Sequence, residues 1–476
     1  MATDVKSASF LRSRFGGLLR RGPRSKGQKS IVMHESRNSR VPRCAGLAFV
    51  GVILAFGCVL LTDARAEDKK PSPFAYQFEP IPRVAEKMTV RRLLSEVLRV
   101  RFNGYSQVSY TQNFNRPSND INELRIFDVN SNQFRANVIQ AAIERQTKAG
   151  GSALDRLGFR VKFNAGQDSD FIGGLNLNPF ATFQEFYVQY LAPVGRGLDL
   201  QVGQFNALVG YEQVGNPYSP NYSRSYLYLG QPFTMGGISA TYEFNEQVTL
   251  SVRAISYVNA AQANSHHEPL VETLLMVFPS ERMRFMLYGL AGPRAGAPGT
   301  PGGTTLPAGQ SAGTPGTPEG MLLLAGGYAS WQFGAQTWAV VEAYYANQAN
   351  SSLVSPGKSA RWDGVAAYLF HDFTKEWGVR LRGEIFEDKG GLVTCQGTTA
   401  YQPKANVCFG ATSTEAAPAV AQTLWEVTAT LEYRPFPSLK TRLEYRYDKS
   451  DHNVFQVGGR ATSYQPTLSL DVVYIF

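Results

Sequence analysis

Charged side chains alternate with apolar ones in three segments of the C-terminal quarter of the chain, near 376–387, 421–433 and 438–448. Side chains at every second position of a strand share one face. Of the charges that share this parity, the candidate pore wall consists of six basic and three acidic residues: Arg380, Arg382, Glu384, Glu432, Arg434, Lys440, Arg442, Glu444 and Arg446. A face of this kind can line a water-filled pore, and its basic excess then predicts a mild anion preference. The alternative is a mutually neutralised ladder that only keeps the face wet.

Motifs for catalysis are not found in the sequence. The chain has no G-x-S-x-G elbow, Walker loop, H-E-x-x-H pair or C-x-x-C-H haem site. The run His266-His267-Glu268 has no further ligand at a suitable spacing, so we expect it to be solvated. The sequence therefore predicts a protein that is not an enzyme and that carries no cofactor and no metal.

The net positive charge of the chain is confined to its N-terminus. The whole chain has 47 Lys plus Arg and 38 Asp plus Glu. Residues 1–66 contain 12 of the basic residues and 3 of the acidic ones, which leaves 35 of each for the remainder. Because the remainder is neutral, the charge balance gives no indication of nucleic-acid binding.

Residues 1–66 have the organisation of a secretory signal peptide. A long basic region precedes an uncharged run at 45–61, and a small-residue site, Ala64-Arg65-Ala66, follows. We expect cleavage after Ala66, with Met33 as an alternative true start. The competing interpretation is a membrane anchor, because the apolar run approaches spanning length. Export also favours a disulfide between Cys395 and Cys408 in a Gly- and Thr-rich segment.

The exported part begins with a lead-in and continues as a long series of strands. Residues 67–98 are predicted to form a periplasmic lead-in with a short amphipathic helix, in which Val90, Leu93 and Val97 share one face. Sixteen strand-like segments follow, within a range of 14 to 18. They lie near 99–111, 133–145, 154–165, 181–192, 197–206, 234–244, 247–258, 270–279, 281–291, 321–333, 336–347, 361–373, 376–387, 421–433, 438–448 and 465–476. The segments near 133, 270 and 321 alternate poorly.

Connections between these segments are alternately short and long. This layout is typical of an all-β transmembrane, antiparallel, up-and-down β-barrel spanning 99–476, with short turns in the periplasm and long loops outside. The last strand ends on Tyr474 and Phe476, and a barrel pairs such a strand with its first one. A terminal aromatic on a closing strand resembles the signal that the barrel assembly machinery of outer membranes reads.

The stretch from Phe183 to Asn259 resembles the OmpL-like β-barrel porins of Gram-negative bacteria. The resemblance lies in FQEFYVQYLAPVG at 183–195, LQVGQF at 200–205, GYE at 210–212, NYSRSY at 221–226 and PFT at 232–234. The sequence departs from the family at Gln204, where Lys is frequent. The resemblance implies an outer-membrane porin-like channel and supplies no solute.

The third long loop is the candidate constriction. In sixteen-stranded porins the third external loop commonly folds into the barrel, and here it is rich in tyrosine. Its candidate residues are Tyr211, Glu212, Tyr218, Tyr222, Arg224 and Tyr226. We expect the rings to shape the opening and Glu212 with Arg224 to set its polarity. The alternative is a loop that packs on the rim and covers the barrel mouth.

These observations together predict a passive diffusion channel for small hydrophilic solutes or ions in the bacterial outer membrane. The expected partners are outer-membrane lipid, the barrel assembly machinery, the solutes and a second and third copy in a homotrimer, with no nucleic acid. The alternative from another class is a barrel that only anchors long external loops, which then bind a partner or surface.

Overall fold

The computed structural model describes residues 99–172, 175–178, 180–258, 269–294, 320–355, 357–394 and 419–476. The predicted signal peptide, the predicted lead-in helix, the run at 266–268 and both Cys395 and Cys408 lie outside these residues. Within the described residues, no helix is long and apolar enough to cross a membrane.

Sixteen long antiparallel strands form one closed barrel. They are β1 Val100–Asn113, β2 Gln133–Arg145, β3 Leu157–Ala165, β4 Ala181–Ala192, β5 Leu198–Asn206, β6 Thr234–Glu243, β7 Val248–Val258, β8 Leu270–Ser280, β9 Met283–Arg294, β10 Gly320–Gln332, β11 Thr337–Gln348, β12 Ala360–Asp372, β13 Trp377–Asp388, β14 Gln422–Phe436, β15 Leu439–Ser450 and β16 Tyr464–Ile475. Each strand pairs with its neighbours in sequence, and β16 also pairs with β1. The predicted fold class and strand number are therefore confirmed.

Closure of the barrel occurs between β1 and β16. The register runs from Tyr105 opposite Ile475 to Asn113 opposite Thr467. Beyond it, Gly104 and Phe476 exchange two backbone hydrogen bonds of 3.0 and 2.9 Å. A side chain on Gly104 would clash, because a Cβ there would lie 2.2 Å from the carbonyl oxygen of Gln140. The seam is thus sealed up to the last residue.

Strand ends differ from the predicted ones by a few residues. One difference is in the link predicted at 434–437, where β14 continues to Phe436 and only residues 437–438 form the turn. The β2–β3 link is longer than predicted, because β3 starts at Leu157 rather than at 154. Asp155 shapes this link by accepting hydrogen bonds from the backbone and the hydroxyl of Ser152, at 2.9 and 3.0 Å.

Turns lie at one end of the barrel, here called the turn end, and all of them except the β2–β3 link at 146–156 are short. Eight loops lie at the other end, the loop end. The loops are 114–132, 166–180, 207–233, 259–269, 295–319, 349–359, 389–421 and 451–463, called loops 1 to 8. Their described parts contain the short strands Leu175–Asn178, Phe455–Val457 and Arg460–Thr462 and the 3₁₀ turns Ser169–Phe171 and Asn216–Tyr218. One α-helical turn, α1 Tyr226–Leu229, lies in loop 3.

The outer face of the barrel is apolar and is bordered by aromatic rings. Exposed valine, leucine and isoleucine side chains occupy the outward parity of the strands. At the turn end, Trp377 stacks on Tyr433 with ring centroids 4.3 Å apart, and near the loop end Tyr447 stacks on Tyr464 at 6.3 Å. An apolar band between two aromatic girdles is the lipid-facing surface of a transmembrane barrel.

The inner face has two unlike halves. From β13 through β16 and on to β4 it is dominated by charged and amide side chains. From β8 to β11 it is largely apolar. The buried inward residues there are Leu274, Met276, Met286, Leu290, Leu322, Leu324 and Val340. A strand that is apolar on both faces cannot show a clear period of two, which explains the poor alternation near 270 and 321.

Candidate pore constriction

Loop 3 runs deep into the barrel interior. The ammonium group of Lys440 donates a hydrogen bond of 2.8 Å to the carbonyl of Pro217. Lys440 is the second residue of β15 and adjoins the turn at 437–438. Loop 3 therefore descends from the loop end almost to the turn end.

Arg382 clamps this loop to the wall. Its guanidinium donates to Glu426 of β14 at 2.6 Å, to Glu212 of loop 3 at 2.7 Å and to the carbonyl of Ser223 at 2.8 Å. All three side chains are buried. Charge-assisted bonds inside a low-dielectric region are strong, and the loss of one partner leaves an unpaired buried charge. Arg382 consequently fixes loop 3 to two neighbouring strands.

Two further arginines on β15 hold the loop backbone. Arg442 is held by Asp471 at 2.7 Å and donates to the carbonyls of Ser219 and Asn221 at 3.0 and 3.2 Å. Arg446 donates to the carbonyl of Arg224 and is paired with Asp448 at 2.8 Å. An irregular loop in this position has backbone carbonyls without secondary-structure partners, and these guanidinium groups supply the missing donors.

Inward carboxylates satisfy the backbone N–H groups of the same loop. Glu444 accepts from Tyr222 N and Ser223 N at 2.6 and 2.9 Å. Glu384 accepts from Tyr226 N and Leu227 N at 2.5 and 3.1 Å, at the first residues of α1. These first N–H groups have no partner inside a helix. The wall thus provides donors and acceptors in register with the loop.

The apolar half of the inner face packs against the opposite side of loop 3. Leu227 and Phe233 are buried in one cluster with β8–β11 side chains. Two wall aromatics also bond to the loop backbone: Tyr344 donates to Leu227 O at 2.9 Å, and Trp362 donates to Gly230 O at 3.0 Å. Loop 3 is therefore held by hydrophobic burial on one side and by ion pairs on the other.

Two tyrosines of loop 3 act as buried hydrogen-bond donors. Tyr222 donates to Ser109 of β1 at 2.7 Å, and Tyr226 donates to Asp448 of β15 at 2.7 Å. Burial raises the pKa of both phenols above the ordinary value, so both keep their protons at physiological pH. Their bonds tie loop 3 to the wall close to the seam of the barrel.

Loop 1 fills the barrel beside loop 3. Arg125 is buried between Asp128 of the same loop and Asp448, and its Nε lies 3.1 Å from the latter. Phe127 packs against Tyr228 of loop 3 with ring centroids 6.3 Å apart, and the guanidinium of Arg224 lies over both rings. The two loops consequently form one packed unit inside the barrel.

All nine charges singled out in the sequence face the barrel interior. Arg380, Arg382, Glu384, Glu432, Arg442, Glu444 and Arg446 are buried, whereas Arg434 and Lys440 are partly exposed. Sequence reasoning did not assign Glu426, Asp448 or Asp471, although each has the same inward parity as the charges that were found. Parity was the available signal for these three partners.

The candidate constriction residues divide into two groups. Glu212, Tyr222, Arg224 and Tyr226 are buried, while Tyr211 and Tyr218 are half-buried. Arg224 donates to backbone carbonyls of Gln213 and Val214 at 3.1 and 3.3 Å, within its own loop. The predicted effect of Glu212 and Arg224 on the polarity of the opening stays a prediction. Within the described residues, no cluster of His, Cys, Asp and Glu could hold a metal ion.

A comparison with protein-family models identifies this chain as a porin. The family model described as "Putative beta-barrel porin-2, OmpL-like" matches residues 99–476, and the chain belongs to this family. It is an outer-membrane porin of the OmpL-like type. A search of curated proteins gives no significant match.

Several solved outer-membrane proteins are similar to this chain. The channel DcaP of Acinetobacter baumannii is 10% identical over 79% of this chain and 97% of its own, with a TM-score of 0.48. An anion-selective porin from Comamonas acidovorans is 10% identical over 79% and 99%, with a TM-score of 0.48. OprB of Pseudomonas putida is 11% identical over 80% and 96%, with a TM-score of 0.49.

Proposed function

We propose that this porin is a passive diffusion channel for small hydrophilic solutes, narrowed by loop 3, with its turn end in the periplasm. The observation that supports the proposal best is the loop 3 segment near Pro217, which reaches Lys440 beside the turn end. A solute that crosses the barrel must pass this segment. Tyr211, Gln213, Tyr218 and Pro220 are half-buried and form the loop surface that faces water.

Transport in this proposal needs no catalytic cycle. The opening selects solutes by size, because loop 3 is attached to the wall on both sides and its position is fixed. It filters by charge through the lumen-facing groups that keep water contact, among them Arg434 and Lys440. Most other charged side chains of the wall form ion pairs or hydrogen bonds with loops 1 and 3. The resulting anion preference is mild, since Glu432 lies 3.2 Å from Lys440 and 3.3 Å from Arg434.

Planar-bilayer recording of the refolded chain 67–476 tests the proposal. Discrete conductance steps in symmetric salt are the expected result, and a variant that lacks residues 213–225 should give larger steps. Correctly folded protein that gives no steps would contradict the channel and favour the anchoring function. Equal steps with and without residues 213–225 would contradict the assignment of loop 3 as the constriction.

The predicted export signal and trimer belong to the same proposal. Cleavage after Ala66 is tested by N-terminal sequencing of the protein from outer membranes. The homotrimer is tested by chemical cross-linking before extraction, and a single monomer band would contradict it.

A further inference from the structure

The turn-end half of the interior contains a cluster of aromatic rings, of which only Tyr211 belongs to the candidate constriction. Trp338 of β11, Phe370 and Tyr368 of β12, Tyr328 of β10 and Tyr211 of loop 3 form a continuous chain of ring contacts. The centroids are 5.2 Å apart for Trp338 and Phe370, 5.0 Å for Tyr211 and Tyr368, and 5.2 Å for Tyr211 and Tyr328. We call these five residues the aromatic track.

The track is accessible on one side only. Tyr368 and Phe370 are buried, whereas Tyr211, Tyr328 and Trp338 are half-buried. The Arg380 guanidinium lies over the Trp338 ring, 5.2 Å from its centroid, and covers part of it. The hydroxyl of Tyr368 is buried and has no hydrogen-bond partner among the described residues. Because this hydroxyl is buried, the contact that the track offers to a solute is the surface of its half-buried members.

A cation without a counter-charge lies next to these rings. Arg284 of β9 has the inward parity of the buried Met286 and Tyr288, and it is exposed. It is opposite Ser330, which follows Tyr328 by two positions, so Arg284 and Tyr328 are diagonal neighbours on the inner face. Among the described residues, no carboxylate forms an ion pair with Arg284, whereas nearby Arg380 is already paired with Asp372 and Glu432.

We propose that the aromatic track and Arg284 form a binding site for aromatic carboxylates on their way through the pore. The flat apolar face of such a solute stacks on Trp338 and Tyr328, and its carboxylate pairs with the guanidinium of Arg284. A neutral sugar would form no ion pair with Arg284, and a small anion such as acetate would not stack on the rings. This inference rests on the proposed channel function.

Benzoate is the probe that tests the site in planar bilayers. We expect benzoate to reduce the current through open channels in a saturable manner, with acetate and benzyl alcohol much weaker at equal concentration. Replacing Arg284→Gln should raise the half-blocking benzoate concentration about tenfold, the value for the loss of one charge-assisted contact. Trp338→Leu should weaken the block by a similar factor because the stacking surface is lost.

Arg101→Gln is the matched control. Arg101 of β1 is also exposed, has inward parity and lies near the turn end, but it is far around the barrel from the aromatic track. The benzoate block should persist in this variant. Equal weakening in both arginine variants would overturn the proposal, because it would mean general attraction by mouth charge. Block by glucose and not by benzoate would also overturn it.

A binding measurement separates this site from the channel function. If the folded protein conducts no current, the channel proposal fails, and benzoate binding is then read from tryptophan fluorescence of the folded protein. We expect saturable quenching that is reduced in Trp338→Phe. Quenching that is equal in both proteins, or absent from both, would overturn the assigned site.

Discussion

At the scale of single residues, Arg382 shows how much one side chain contributes inside the barrel. It has no exposed side-chain surface and is paired with Glu212 and Glu426. Arg382→Met leaves Glu212 without its arginine partner and leaves Glu426 with only the longer 3.6 Å ion pair to Arg446, so we expect a loss of about 3–5 kcal/mol in the free energy of unfolding. The measurement is electrophoresis of samples that have been incubated at increasing temperatures, and it gives the temperature at which the band of the folded barrel disappears.

Arg361→Met provides the control for that prediction. Arg361 bonds to Asp363 at 2.7 Å, but its side chain is 45% exposed. An exposed ion pair contributes about 1 kcal/mol or less. A loss for Arg361→Met that equals the loss for Arg382→Met would contradict the clamp.

Glu123 of loop 1 predicts a pH dependence. It is buried with Asn119 as its hydrogen-bond donor at 2.7 Å, and burial raises its pKa to about 8. The unfolded chain releases this proton near pH 4, so the native state binds more protons between these values, and stability falls as pH rises. The slope for one group is about 1.4 kcal/mol per pH unit.

Replacing the carboxyl of Glu123 tests the predicted fall of stability with rising pH. Glu123→Gln should be more stable than the parent protein at pH 8, with a difference that shrinks toward pH 4. Urea unfolding followed at several pH values supplies the comparison. A difference that grows as the pH falls would contradict the burial of a protonated carboxyl.

Residue types at one parity indicated nine of the charges that face inward, but they could not reveal the partners of those charges. Glu444 bonds to backbone N–H groups of loop 3, more than 200 positions away in sequence, and nothing in a local pattern encodes that pairing. The sequence therefore identified the wall and left open what the wall holds.

At the scale of elements, the two-sided attachment of loop 3 is the decisive feature. Leu227 of α1 is fully buried among β11–β13 side chains. Leu227→Ala removes apolar contact and leaves a cavity, which costs about 2–5 kcal/mol at a buried leucine. We expect noisier single-channel currents, because the loop can then move.

A lipid-facing leucine is the matched control for this change. Leu381→Ala alters β13 on the outer face, where the side chain is 39% exposed. Its current noise should equal that of the parent protein. Quiet currents in Leu227→Ala would contradict the role of apolar packing in fixing loop 3.

The strand pattern predicted the barrel elements well, and its weak points had a physical cause. The segments near 270 and 321 alternate poorly because both of their faces contact apolar surroundings, lipid outside and loop 3 inside. A single strand cannot show that its second apolar face is covered by another part of the chain. The path of loop 3 was therefore open from sequence alone, while its tyrosine content was visible.

At the scale of the whole molecule, closure depends on the last residues of the chain. Phe476 forms both seam bonds to Gly104 and is exposed on the outer face. Deletion of Phe476 should reduce the heat-modifiable fraction of the protein in cells. Refolding in detergent should be affected less, because the remaining β1–β16 register is intact. Equal yields in cells with and without Phe476 would contradict its predicted role as an assembly signal.

The closed barrel was predictable because sixteen segments with alternately short and long links have few other arrangements. The interior was less predictable, since its packing joins loop 1, loop 3 and wall strands that are distant in sequence. Local periodicity does not predict how the loops pack against the two halves of the inner face.

The apolar half of the interior also has a calorimetric consequence. The outer face of the barrel is covered by apolar chains in both lipid and detergent, so its hydration changes little between them. By contrast, Leu227, Met276 and Leu324 are buried and would become hydrated when loop 3 detaches. Hydration of apolar surface raises the heat capacity. Loop detachment in micelles should therefore appear as a separate endotherm with a positive heat-capacity step, below the temperature at which the strands separate.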